Sequence, residues 1–73
     1  NILEDTHLAE DILALDEEMP DNIRMGVQQE LRKRRRAQNL AFYTMLEAGA
    51  SDATMLDLLY AHQQTIAALA KIQ

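Results

Sequence analysis

The sequence predicts an all-α protein: an antiparallel helical hairpin with an additional acidic helix at its N-terminus, completed into a bundle by dimerisation. Three observations predict it. Apolar residues make up 48% of the 73-residue chain, yet there is one Phe and no Trp, so the apolar mass is aliphatic, as in helices packed on helices. Two Gly and one Pro leave few interruptions. Apolar residues also recur at steps of three and four through long segments, which places them on one face of a helix.

The first element is expected from about Thr6 to Met19. Leu8, Ile12, Leu15 and Met19 form its stripe, widened by Ala9 and Leu13. Thr6 suits the N-cap, with Asp5 beside it. Glu10, Asp11, Asp16, Glu17 and Glu18 take the other face. Three of these acids crowd the C-terminal end, where the helix dipole disfavours negative charge by roughly a few tenths of a kcal/mol. Such a helix needs a neighbour to form. Residues 1–20 therefore read as an acidic helix or arm.

Pro20 restricts Met19 away from helical geometry and opens the second unit, residues 21–73. Its first helix is expected over about 21–48, starting at Asp21 or at Pro20 itself. Ile23, Val27, Leu31, Ala41, Phe42 and Met45 share a face, interrupted by Arg34 and Gln38, and Gly26 is a soft spot. Gly49 suits a left-handed helix end, and Ser51 or Asp52 suits the next N-cap. A connection this short makes the flanking helices antiparallel neighbours.

The third helix, about 51–72, carries the expected seam Met55, Leu59, His62, Ile66 and Leu69. Folding about Gly49 and Ala50 brings Met45 to Met55 or Leu56, Phe42 to Leu59, Gln38 to His62 or Gln63, and Arg34 to Ile66. Gln38 and His62 would form a polar core layer. Such a layer lowers stability but can set register.

Charge is strongly segregated. The net charge is −5, yet Arg32, Lys33, Arg34, Arg35 and Arg36 are consecutive. Residues 1–30 carry nine acids against one base, and residues 31–73 carry six bases against three acids. Arg32, Lys33, Arg35 and Arg36 are candidate anion-binding residues. Five consecutive residues point all round a helix, however, and no interleaved aromatics or Gly-rich loop accompany them. The expected role is to neutralise the acidic segment or to meet an anionic protein, with nucleic acid as the alternative.

Other chemistry finds little support. There is no Cys, so disulfides and thiolate metal sites are excluded. Glu4 and His7 have the spacing of half a di-iron motif, but the facing carboxylates and the second Glu/His pair are missing. Neither a cofactor nor a metal is expected. Adjacent acids on a solvent face make no general acid/base pair, and a chain this short offers little room for a water-excluded pocket, so no enzyme is expected either. No apolar stretch approaches the ~20 residues of a membrane helix. A cytoplasmic setting is expected.

The apolar residues left over say more. Met25, Leu40 and Tyr43 fall opposite the apolar stripe of the second helix, and Leu56 and Tyr60 do the same on the third. Helices with two apolar faces need more than one neighbour. These five residues are the expected partner-binding set. The partner is a protein, a second copy of the chain included, and the expected function is that of an adaptor, small chaperone or regulator.

Gly49-Ala50-Ser51-Asp52 followed by Leu56 and Leu59 resembles the small helical-hairpin regulators of bacterial signalling, aspartyl phosphatases among them. Those enzymes carry a Ser-Gln-x-x-x-Asp signature on the corresponding helix. Here that stretch reads Leu58-Leu59-Tyr60-Ala61-His62-Gln63, so the resemblance implies no activity.

Overall fold

A computed structural model describes residues 6–73 and contains, among them, three helices and no strand: α1 (His7–Ala14), α2 (Asp21–Glu47) and α3 (Asp52–Ile72). Asp5 beside the first cap, and the Glu4 member of the Glu4/His7 pair, lie outside the described residues. No described helix is long and apolar enough to cross a membrane.

Local chemistry sets both ends of the α2–α3 connection. Gly49 takes φ 74°, the left-handed region that costs a residue bearing a Cβ about 1 kcal/mol or more. Its N–H donates to the Leu46 carbonyl at 3.1 Å, and the Ala50 N–H donates to the Met45 carbonyl at 2.9 Å. This pair of bonds is a Schellman ending. Ser51 then caps α3, its Oγ accepting from the Thr54 N–H at 3.2 Å.

The two long helices run antiparallel. Gln38 Oε1 lies 3.0 Å from Nδ1 of His62, and Gln28 Nε2 donates to the Ile72 carbonyl at 2.6 Å. As residue numbers fall along α2 they rise along α3. Helix α1 runs parallel to α3, because Tyr60 reaches Glu10 while Lys71 reaches the carbonyls of Ile12, Leu13 and Leu15. A rise of about 1.5 Å per residue makes α2 about 40 Å long and α1 about 12 Å. The longest molecular dimension, 42 Å, is therefore α2 itself.

That mismatch of lengths divides the molecule. In its proximal part, beside α1, a three-helix core gathers Ala9, Ile12, Leu31, Ala68, Leu69 and Ile72, with Leu8, Leu13, Met19 and Val27 packed around it. In its distal part, toward Gly49, α2 and α3 have only each other. Leu58, Ala41 and Ala61 are buried there, and Gln38 is enclosed between the helices.

Four sequence expectations are corrected. The first helix stops at Ala14, not Met19, with Leu15 extended. A shorter helix leaves Asp16, Glu17 and Glu18 beyond its negative end. The Lys71 ammonium instead takes three carbonyls there, at 2.9, 3.0 and 2.6 Å. Thr6 occupies the N-cap position without capping, since its hydroxyl donates to the Glu10 carboxylate at 2.8 Å.

The third correction concerns the α3 seam. The buried line is Leu58, Ala61, Thr65, Ala68, Leu69 and Ile72, so Leu69 keeps its expected place, while Leu59 and Ile66 are 41% and 45% exposed. Helix α3 serves two neighbours, so its buried arc centres between α1 and α2. Small side chains there let both approach. Thr65 satisfies its hydroxyl internally, donating to the Ala61 carbonyl at 3.0 Å. On α2, Ile23 likewise leaves the expected packed face and is exposed.

Candidate partner-binding surface

Packing geometry determines which exposed residues share a side. Antiparallel neighbours are related by a two-fold axis perpendicular to their common plane. The residue that follows a packed position, rotated by about 100°, therefore lies on the same flank in both helices. On α3 that rule takes Leu58 to Leu59 and Thr65 to Ile66. On α2 it takes Leu31 to Arg32, Gln38 to Asn39 and Met45 to Leu46. Residues preceding packed positions, Glu30 on α2 and Asp57 and Gln64 on α3, fall on the opposite flank. Tyr60 and Lys71, which bond to α1, place that helix there too.

One flank is thus covered by α1 and is acidic. The other is open, and Leu46, Leu59 and Ile66 lie along it, all exposed. A second heptad-spaced line runs the length of α3 on this side: Leu56, Leu59, Gln63, Ile66 and Ala70, each exposed and none charged. Beside it on α2 stand Arg32 and Arg35, half-buried, with Arg36 exposed at the outer edge.

The groove between the helices opens on the same flank. The Phe42 and His62 rings meet edge to face there, their centroids 5.4 Å apart. Burial holds the His62 pKa below its ordinary value, and the nearby Arg35 charge lowers it further. The neutral ring then shares its hydrogen bond with Gln38. Among the described residues no buried side-chain nitrogen or oxygen lacks a partner, so this layer is polar and satisfied.

The residues expected from sequence to bind a partner are dispersed. Met25, Leu40, Tyr43, Leu56 and Tyr60 are all exposed. Leu56 belongs to the open line and Tyr43, 71% exposed, to the rim beside it. Leu40 faces away from α3, and Met25 is at the far end of α2. Tyr60 turns to the covered flank, its hydroxyl donating to Glu10 Oε1 at 3.4 Å. Leu46, Leu59 and Ile66 were missed. For Leu59 and Ile66 the signal was the second heptad line on α3, which the expected seam conflated with the first; Leu46, on α2, belongs to no such line.

The basic run divides as well. Arg34 turns inward, its side chain 13% exposed and its Nε 3.5 Å from the Glu30 carboxylate. Lys33 and Arg36, three residues apart and so neighbours on one face, are both exposed. A cleft of about 210 Å³ lies at the other end of the molecule, lined by Leu15, Asp16, Glu17, Arg24 and Lys71 among others. Among the described residues, no group of three or more His, Asp or Glu is placed to hold a metal ion. Compared with family models, curated proteins and solved structures, the chain matches none.

Proposed function

We propose that this chain is a small protein–protein interaction module, in which α2 and α3 form a helical hairpin whose open flank receives a helix from another polypeptide. One observation carries the reading: Leu46, Leu59 and Ile66 stand exposed together on the one flank that α1 leaves bare. A third helix laid there would complete the distal part into a bundle, as α1 does for the proximal part. Apolar anchors at steps of three and four are what helix-in-groove recognition uses. The biological role is that of an adaptor, small chaperone or regulator. A second copy of the chain is one source of the helix, and mass in solution measures it.

Binding to a panel of helical peptides tests this function. Peptides with apolar residues at i, i+3, i+4 and i+7 are expected to bind and to lose binding to a Leu59→Ser/Ile66→Ser variant that keeps its helical circular dichroism. Undiminished binding to that variant would contradict the reading.

The alternative is a nucleic-acid-binding regulator, supported by the exposure of Lys33 and Arg36. Its mark would be affinity for duplex DNA falling by about a thousandfold between about 50 and about 200 mM salt. The inward turn of Arg34 and the distribution of the run around α2 weigh against it.

A further inference from the structure

We infer that the helix received by the open flank is acidic and amphipathic and comes from a chain other than this one. The inference rests on the proposed function and names the partner's chemistry. The apolar line of α3 has no charge from Leu58 to Ala70, so along that stretch selectivity by charge comes from α2. What α2 offers is Arg32, Arg35 and Arg36. A helix seated on Leu59 and Ile66 would run with its flanking positions beside these guanidinium groups. Glu or Asp there would find bidentate donors, whereas Lys or Arg would meet like charge.

The rest of the molecule sharpens that selection. The covered flank carries Glu30, Asp57 and, on α1, Glu10 and Asp11, against Lys71 and the Arg34 that pairs with Glu30, so it is net acidic where the bare side is net basic. An acidic helix is drawn to the bare side and repelled from the covered one.

The same charges argue against a second copy. In an antiparallel two-fold dimer through this flank, α2 would face its symmetry mate. Gln38 pairs with His62 and Gln28 with Ile72 across the hairpin, so Gln63 lies level with residue 37 of α2. A two-fold through Gln63, the centre of the apolar line, would therefore bring Arg35 and Arg36 of both copies together near the axis. Acids on this side, Glu47 and Asp52, lie at the Gly49 end and cannot offset them there.

Fluorescence anisotropy tests the inference with two labelled peptides of about 20 residues, both carrying Leu at heptad positions a and d. One has Glu at e and g, the other Lys. The Glu peptide is expected to bind at least about tenfold more tightly than the Lys peptide at about 50 mM salt, with the difference shrinking at about 200 mM. Arg32→Gln/Arg35→Gln/Arg36→Gln should remove that preference and retain residual binding. Leu59→Ser/Ile66→Ser should remove binding of both peptides.

Equal affinity for the two peptides, each lost in the Leu59/Ile66 variant, would overturn the acidic partner and leave the module standing. A dimer by sedimentation, dissociated by Leu59→Ser/Ile66→Ser, would also overturn the inference by seating a second copy on the flank. A folded monomer that binds neither peptide would overturn the inference and the proposed function together. Circular dichroism of each variant ensures that lost binding is not lost fold.

Discussion

The proximal and distal parts of this molecule use the same two helices and differ in whether a third lies against them. Beside α1, Leu31, Leu69 and Ile12 close a dry core. Beyond α1, the space between α2 and α3 holds a Gln–His pair, and leucines of both helices face outward. Two helices alone can enclose only a narrow strip of side chains, whatever their sequence. The distal part is therefore not poorly folded but short of one neighbour. An eight-residue helix beside a 27-residue one creates that shortfall.

The largest expected contrast between the parts is in stability. Leu31→Ala in the proximal core should cost about 2–5 kcal/mol, while Leu59→Ala on the open flank should stay within about 0.5 kcal/mol. Urea unfolding measures both. Similar losses would mean that Leu59 is already buried by a second chain.

Next is the polar layer. Gln38→Ala leaves His62 without its partner in a half-buried site and should cost about 1–3 kcal/mol. The layer also makes stability depend on pH. The His62 pKa is lowered in the fold, first by burial and then by Arg35, so the unfolded chain takes up the proton first. Stability should fall as pH drops below about 6.5 toward the lowered folded value, with no contribution from this group above that range. A His62→Gln variant should lose less stability than the parent between about pH 7.5 and about pH 5.5.

Lys71→Met keeps the aliphatic stem and removes the ammonium that holds the end of α1. It should cost about 1 kcal/mol, and hydrogen exchange should quicken at the α1 amides while the Gly49 end of α2 and α3 stays unchanged. Smallest and of opposite sign is Gly26→Ala. An added Cβ meets nothing within 4 Å, so the substitution should stabilise by about 0.5–1 kcal/mol through helix propensity. Thermal unfolding reads it.

Legibility in the sequence follows the range of the interactions involved. Pro20, Gly49 and Ser51 act on their own backbone neighbours, so the limits of α2 and α3 could be read directly. The end of α1 could not, because Lys71 secures it from 56 residues away along the chain. The α3 seam misled for a related reason. A helix with one neighbour buries the line its largest residues suggest, whereas α3 has two and buries Ala61, Thr65 and Ala68 between them alongside Leu58, Leu69 and Ile72. That rotation moved Leu59 and Ile66 from expected core to candidate surface. Tyr60 stays exposed but turns to the covered flank, because its hydroxyl finds Glu10 of a helix whose position no local pattern reveals.

Chemical-shift mapping of the labelled protein, titrated with the Glu-flanked amphipathic peptide, tests the open flank most directly. Changes are expected along Leu56 to Ala70 and from Arg32 to Leu46, with α1 silent. Changes centred on α1 or on Asp16, Glu17 and Glu18, with Leu59 and Ile66 unmoved, would contradict a partner-binding role for this flank.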